Sequence, residues 1–390
     1  MTRSPVYVDY AATTPLRPEV REAMLPYLAE AFGNPSSAHG YGRAARAGIE
    51  QGRRQVAAAL GAEPAQVVFT SGGTEADNLA VIGTALAARA GGAAARVAVS
   101  AIEHKAVLAA AHFVTALGGS EELLPVTTDG ILDLDGLHAA LARRPALVSV
   151  MWVNNEIGTL QPVEEIGRRC RAAGVPFHTD AVQAFGYLPI RFERLGCDLL
   201  TVSAHKIGGP KGAGALLVRE PGLVEPLIRG GAQQGGVRPG TENVAGIAGF
   251  GRAAELAARE QPEHACRVAG LRNRLRDALR AAVPDIRVVG AGAESVSHIL
   301  TVCVPGTDSE ALLMHLDLAG VAAGSGSACT TGTVEPSHVL AAMGIPHELA
   351  IGAVRFSLGR ETTEADVDRA AAVFPAVVAK VRQLAAVLGR

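Results

Sequence analysis

Lysine is scarce in this 390-residue chain. Only Lys105, Lys206, Lys211 and Lys380 occur, and the other 32 of the 36 basic residues are arginine. Lys206 stands in Ser203-Ala204-His205-Lys206-Ile207-Gly208-Gly209-Pro210-Lys211-Gly212, after a β-rich run and before a glycine-rich turn. Desolvation at such an inner position disfavours the charged amine, and a neutral lysine is a Schiff-base nucleophile. The plain alternative is a solvated loop lysine. Arginine cannot form an imine, so a lysine kept here by an arginine-rich chain weighs against that alternative. Lys211, five residues on, is the internal competitor.

Two further segments carry complementary chemistry. In Phe69-Thr70-Ser71-Gly72-Gly73-Thr74-Glu75, small residues leave a strand and open a helix. Backbone N–H groups at a helix N-terminus suit a phosphate, although the same residues also read as an ordinary capped helix. In Phe177-His178-Thr179-Asp180-Ala181-Val182-Gln183, an acid ends a buried run. The carboxyl ends of strands line the ligand crevice of open α/β sheets, so Asp180 could pair a cationic ring nitrogen or simply cap the next helix. A phosphate cup, an acid for a pyridinium nitrogen and an imine-forming lysine together are what pyridoxal 5'-phosphate needs. They occur in that order, with 106 residues from Thr74 to Asp180 and 26 from Asp180 to Lys206.

The five cysteines, Cys170, Cys197, Cys266, Cys303 and Cys329, are widely spaced with no C-x-x-C pair. That speaks against a zinc ribbon, a thioredoxin-type motif or a secreted disulfide framework; no metal site is expected. Four of them read as reduced structural thiols. Cys329 differs, because segment 324–332 is rich in Gly, Ser and Thr and reads as a flexible loop. A cysteine there is poorly explained as core filler, though the segment alone is also a plain linker.

Elements able to position these residues follow from the hydrophobic pattern. Strands are predicted at 67–70, 96–100, 123–126, 146–153, 176–178, 199–203 and 214–218, with helices between them such as 75–89 and 164–173. The alternation predicts an α/β unit with a mainly parallel sheet covered on both faces. A long helix is predicted over 246–282, with a possible break at Pro262. A smaller α+β unit follows, with strands at 286–289, 297–304 and 353–358, an amphipathic helix at 309–318 and a terminal helix from about 364. At 48% hydrophobic and 19% charged residues the chain is not disordered. Its net charge of −2 gives no footprint for nucleic acid or an anionic membrane. No apolar run of membrane-spanning length and no apolar leader is present, so a cytoplasmic protein is expected.

On these residues the sequence resembles class V aminotransferase-fold enzymes and, within them, the group I cysteine desulfurases of the NifS/IscS type. The likeness runs through 10–15, Gly33-Asn34-Pro35-Ser36-Ser37, 70–78, Glu103-His104-Lys105-Ala106-Val107, Val153-Asn154-Asn155-Glu156-Ile157-Gly158, 178–183, 203–212, 238–243 and Gly326-Ser327-Ala328-Cys329, followed by Glu335-Pro336-Ser337. It implies a fold type I PLP-dependent transferase with a large cofactor-binding domain over 17–255. The smaller domain would comprise 1–16 plus 256–390 and carry the catalytic cysteine loop at about 324–337. Lys206 would hold the cofactor as an imine, Asp180 would keep its ring nitrogen protonated, Gln183 would bond the ring oxygen, and His104 would stack on the ring and shuttle protons. Gly73, Thr74, Ser203 and His205 would bind the phosphate, and Thr241 would reach the phosphate in the partner subunit of a homodimer with a shared active site. Asn155 and Arg355 would hold the substrate carboxylate.

Cys329 would take sulfur from L-cysteine as a persulfide, leaving L-alanine, and pass it to an acceptor or scaffold protein. Iron–sulfur cluster assembly is the foremost use implied. Alternatives are tRNA thiolation, DNA phosphorothioation, and a selenocysteine lyase or C–S lyase of the same fold. One stretch departs from the family pattern. Gly231-Ala232-Gln233-Gln234-Gly235-Gly236-Val237-Arg238-Pro239 replaces the more usual Gly-Gln-Glu-Arg-Gly-x-Arg-Ser, which bears on the subunit contact rather than on the chemistry.

Overall fold

The computed structural model describes residues 5–326 and 336–387. Its largest sheet has seven strands, in the order Val67–Thr70, Gly214–Val218, Leu199–Ser203, Phe177–Asp180, Leu147–Ser149, Arg96–Ser100, Ser120–Leu124. All neighbouring pairs are parallel except those of Gly214–Val218, which runs antiparallel to both of its neighbours. Both faces are buried, as the short apolar runs require. Val97 and Val99 join one apolar cluster, while Ala98 between them joins the cluster on the opposite face.

Crossover helices begin and end on local signals. Helix Val163–Ala173 closes on Gly174 in the left-handed conformation, and Lys105–Ala116 opens on the side chain of His104. The predicted strand at 146–153 stops at Ser149. Beyond it the chain turns, because the Asn154 side chain donates to Ile102 O at 2.8 Å and accepts from the amides of Glu156 and Ile157. The strand predicted at 123–126 lies earlier, at Ser120–Leu124. It is a sheet edge whose polar residues hide the β pattern.

Helix Val244–Ala282 is continuous through Pro262. Proline removes a hydrogen bond four residues back, and here both Pro262 and Ala258 are exposed, so the freed carbonyl can bond water. The helix serves two cores. Ile247, Phe250, Ala253 and Leu256 pack under the large sheet, whereas Val268, Leu271, Leu275 and Leu279 join Val6, Val8, Val302, Phe356 and Phe374. In that second cluster the antiparallel strands Ile299–Cys303 and Ala353–Ser357 pair, and helix Glu364–Val387 covers them. Among the described residues, no helix is long and apolar enough to cross a membrane.

Candidate active site

The carboxyl ends of the central parallel strands converge on one cleft. Gly73, Thr74, His104, Asn155, Asp180, Gln183, Ser203, His205 and Lys206 line it, together with Ala11, Ala12, Asp77, Met151 and Val182. The fold therefore gathers nine of the residues singled out in the sequence. Arg355 lies next to this group, since its Nη1 donates to Asn155 O at 2.7 Å. Thr241 does not line the cleft; it is exposed elsewhere on the chain. Cys329 lies outside the described residues.

Lys206 ends a short turn, Ala204–Lys206, directly after strand Leu199–Ser203. The turn is locked by Gly208, whose φ of +79° and whose approach to the Arg17 stem leave no room for a Cβ. Its amide donates to Thr14 Oγ1 at 2.9 Å. The Lys206 amine donates to Ala12 O at 2.8 Å and to Ala11 O. Burial and the nearby Arg355 cation push its pKa down to about 8, against the attraction of Asp180 and Asp9. Lys206 is thus a half-buried amine neutral for half the chains near pH 8, where an ordinary lysine is neutral in well under about 1%. In cofactor-free protein, acylation of Lys206 is expected to rise with pH through about 8, and Arg355→Gln should move that midpoint upward. Peptide mass spectrometry across a pH series checks both.

Asp180 ends strand Phe177–Asp180 and is 5% exposed. Its Oδ1 accepts from Val182 N at 2.8 Å. Burial raises its pKa, opposed by His104, that amide and Lys206. A cationic partner at this carboxylate would relieve the penalty. His104 caps its helix through Nδ1, which accepts from Ala106 N at 3.1 Å, so the ring proton is on Nε2. Burial, with Lys206 and His338, lowers its pKa and keeps it neutral. Gln183 Nε2 donates to Ala11 O at 2.9 Å while Oε1 meets His298 Nε2 at 3.1 Å. The second Nε2 hydrogen remains for a ligand oxygen.

Beside Val182 and Ser203 the cleft is lined by a helix start that could serve as an anion cup. Helix Gly73–Ala90 starts with no side-chain cap; Gly72 stands at the cap position, and Glu75 turns back to Ser71 N at 2.7 Å. The ordinary capped-helix reading is thereby set aside, and the first-turn amides have no internal side-chain acceptor. A Cβ on Gly73 would come 3.1 Å from Val182 Cγ2, closing the space above them. Ser203 Oγ is buried with no hydrogen-bond partner at this wall. His205 meets Thr13 Oγ1 at 3.1 Å, and its pKa is pushed down to about 4 by burial and by Lys206 and Lys211.

On the substrate side, Arg355 lies on strand Ala353–Ser357 and is nearly buried. Its Nη2 pairs Asp9 Oδ1 at 2.8 Å, while Nε is buried and unpartnered, leaving part of its donor fork for a carboxylate. Gly324 exchanges backbone hydrogen bonds with Arg355. Glu156, next to Asn155, accepts from Ser337 Oγ, and a Cβ on Gly326 would run into its carboxylate. Both flanks of segment 327–335 are therefore tied beside Asn155 and Arg355.

Several residues here were not singled out by sequence. Asp77, which lines the cleft, and Glu103, next to His104 in the chain, are buried acids. Burial and Asp180 hold Asp77 well above the usual carboxylate range, and burial pushes Glu103 up to about 8. Both lie inside the stretches that carry the family likeness, yet nothing in their type marks them as buried. His298, stacked on Tyr187 at 3.6 Å, carries no sequence signal at all. Burial raises Cys170 and Cys197 to about 12 and Cys303 to about 11, so these thiols stay protonated; Cys266 is exposed.

The chain is similar to known proteins along nearly its whole length. The family model for aminotransferase class V matches residues 6–370. A relative named cysteine desulfurase IscS, from Dictyoglomus turgidum, is 44% identical over 379 residues, covering 97% of this chain and 96% of its own. A solved NifS-like protein superposes with a TM-score of 0.89 at 34% identity, over 96% of this chain and 100% of that one. Another solved structure, described as SspA in complex with cysteine, gives a TM-score of 0.79 at 32% identity, covering 92% and 99% of the two chains.

Proposed function

The chain belongs to the class V aminotransferase family, and on that premise we propose that it is a pyridoxal-phosphate-dependent cysteine desulfurase. It converts L-cysteine to L-alanine and carries the sulfur as a persulfide on Cys329. The carrying observation is the half-buried Lys206 amine in one cleft with the buried Asp180 carboxylate and the uncapped start of helix Gly73–Ala90. The residues present fit the cofactor. An orphaned Ser203 hydroxyl, a helix start without a side-chain cap and a penalised carboxylate are three polar features that a phosphate and a pyridinium nitrogen would satisfy. Bound there, pyridoxal 5'-phosphate would supply an electron sink for bond changes at the substrate carbons.

The chain's own groups then have distinct tasks. Lys206 would hold the cofactor covalently and, once released from it, could act as a base. Asp180 would keep the ring nitrogen protonated, Gln183 would donate to the ring oxygen, and Gly73, Thr74, Ser203 and His205 would bind the phosphate. His104, neutral with its proton on Nε2, would stack on the ring and could pass a proton. Arg355 and Asn155 orient the substrate carboxylate. Cys329 attacks the substrate sulfur as a thiolate. The C–S bond of cysteine breaks, an S–S bond forms, and the carbon that lost sulfur takes a proton, so the step balances without an external oxidant. The close approach of Gly326 to Glu156 and the hydrogen bond from Ser337 to the same carboxylate support delivery of Cys329 to this side of the cleft.

The exposed Thr241 supports a homodimer in which it reaches the partner's phosphate. The change of core along helix Val244–Ala282 supports a domain division near residue 255. The likeness to a relative named IscS supports a supply of sulfur for iron–sulfur cluster assembly in the cytoplasm, and trapping the protein that accepts the persulfide tests that destination.

Purified protein is expected to be yellow, absorbing near about 400 nm. Cys329→Ala should keep that absorbance and lose sulfide release from cysteine, measured in parallel with wild type. Normal sulfide release by the variant would overturn Cys329 as acceptor.

A further inference from the structure

The segment that departs from the family pattern is folded onto the strand leading into the anion cup, and one side chain makes the connection. Gln234 is 8% exposed and lies at φ 49°, a left-handed conformation that non-glycine residues rarely adopt. Its Oε1 accepts from Phe69 N at 3.1 Å and from Arg53 Nη2 at 3.1 Å. Its Nε2 donates to Glu242 Oε1 at 2.8 Å. The orientation of the amide is unambiguous, because two donors face the oxygen and a carboxylate faces the nitrogen.

These bonds cover a sheet edge. Strand Val67–Thr70 is the outermost strand on its side, and its outward groups would otherwise be unpaired. Arg53 takes Val67 O and stacks over the Phe69 ring at 5.1 Å, while Gln234 takes Phe69 N. One residue beyond Phe69 the chain enters the Thr70–Thr74 turn. On the other side, Glu242 immediately follows Thr241. Two more bonds brace the same segment: Gly240 N donates to Gln233 Oε1 at 3.1 Å, and Arg238 Nε donates to Glu75 Oε1 at 2.7 Å, on the first turn of the cup helix.

We infer that Gln234 is a positioning residue that ties the Thr241 segment, which serves the partner's phosphate, to the strand leading into this chain's own helix start, and that beside Glu242 its amide supplies the donor that a glutamate, the family's more usual residue at this position, would lack. The inference rests on the proposed cofactor reading for its functional consequence, and on hydrogen bonding alone for the clamp itself. A glutamate at 234 would still accept from Phe69 and Arg53 but would face Glu242 with a second carboxylate. Converting Glu242 to glutamine at the same time reverses donor and acceptor and restores the bond.

The test compares wild type, Gln234→Glu, Glu242→Gln and the double variant as full-length protein. Hydrogen exchange at the Phe69 and Gly240 amides reads the clamp, and absorbance titration of cofactor-stripped protein with pyridoxal 5'-phosphate reads its consequence. Gln234→Glu is expected to exchange faster at both amides and to bind the cofactor about tenfold more weakly. The double variant should return to within about twofold of wild type on the same scale. If Gln234→Glu does not fold, Gln234→Ala removes the bonds to Phe69, Arg53 and Glu242 without the added charge and is expected to show the same faster exchange and weaker binding, with no rescue by Glu242→Gln. Unchanged exchange, altered exchange with unchanged affinity, or a double variant no better than Gln234→Glu would each overturn the inference. Rescued exchange in a protein that binds no pyridoxal 5'-phosphate in any form, wild type included, would overturn the cofactor reading and leave the clamp standing.

Discussion

Replacing Lys206 by arginine is expected to lower alanine formation from cysteine by at least about a thousandfold, with little change in melting temperature. Arginine preserves a positive charge and a long apolar stem, and it can still donate to the Ala11 and Ala12 carbonyls that receive the lysine amine. What it cannot do is lose its proton and form an imine. The substitution therefore separates charge from nucleophilicity at one position. Lys211 supplies the internal control. It is exposed on the same glycine-rich turn, and Lys211→Arg is expected to leave both the rate and the colour unchanged. Borohydride reduction of the native protein should place the cofactor adduct on Lys206, read by peptide mass. An adduct on Lys211 would reverse the assignment of the two lysines.

Asp180→Asn is expected to retain the cofactor and lose rate. Asparagine is nearly isosteric and can still accept from Val182 N, so the local turn survives. The charge is lost at a site that is almost fully buried. Breaking a buried charge pair typically costs about 3–5 kcal/mol, which corresponds to about two to four orders of magnitude in rate if the pair is needed at the transition state. The loss should fall on kcat more than on KM, because the substrate carboxylate is handled separately by Arg355 and Asn155. Steady-state kinetics on cofactor-saturated protein check the split; an equal rise in KM with unchanged kcat would mean that Asp180 serves substrate binding instead.

The site was legible where its residue types are costly anywhere else. A lysine between a buried strand and a glycine turn, an acid closing an apolar strand, and a small-residue turn before a helix each point to the carboxyl edge of a parallel sheet, and the fold brings all three into one cleft. The helix Gly40–Leu60 was not legible, because Gly42, Gly48 and Gly52 disfavour a helix on propensity. Packing explains them. A Cβ on Gly48 would lie 2.5 Å from the Tyr27 ring, and one on Gly52 would lie 2.7 Å from Ile247 O. These glycines allow the helix to lie close against its neighbours. Likewise Asp77 and Glu103 gave no sign of burial, because helix N-termini and loops ordinarily carry exposed acids; only the sheet around them shows that they are shielded. Gln234 stood out only as a departure from a pattern, and its meaning came from the donors and the carboxylate that surround it.

The most direct measurement is a single turnover. Cofactor-loaded protein is mixed with a limiting amount of L-cysteine and no reductant, alanine is quantified, and the intact chain and its peptides are weighed. One alanine per sulfur atom gained by the chain, with that sulfur on the Cys329 peptide, is the expected result. Alanine without sulfur at Cys329, or pyruvate in place of alanine, would contradict a desulfurase that carries its product on that thiol.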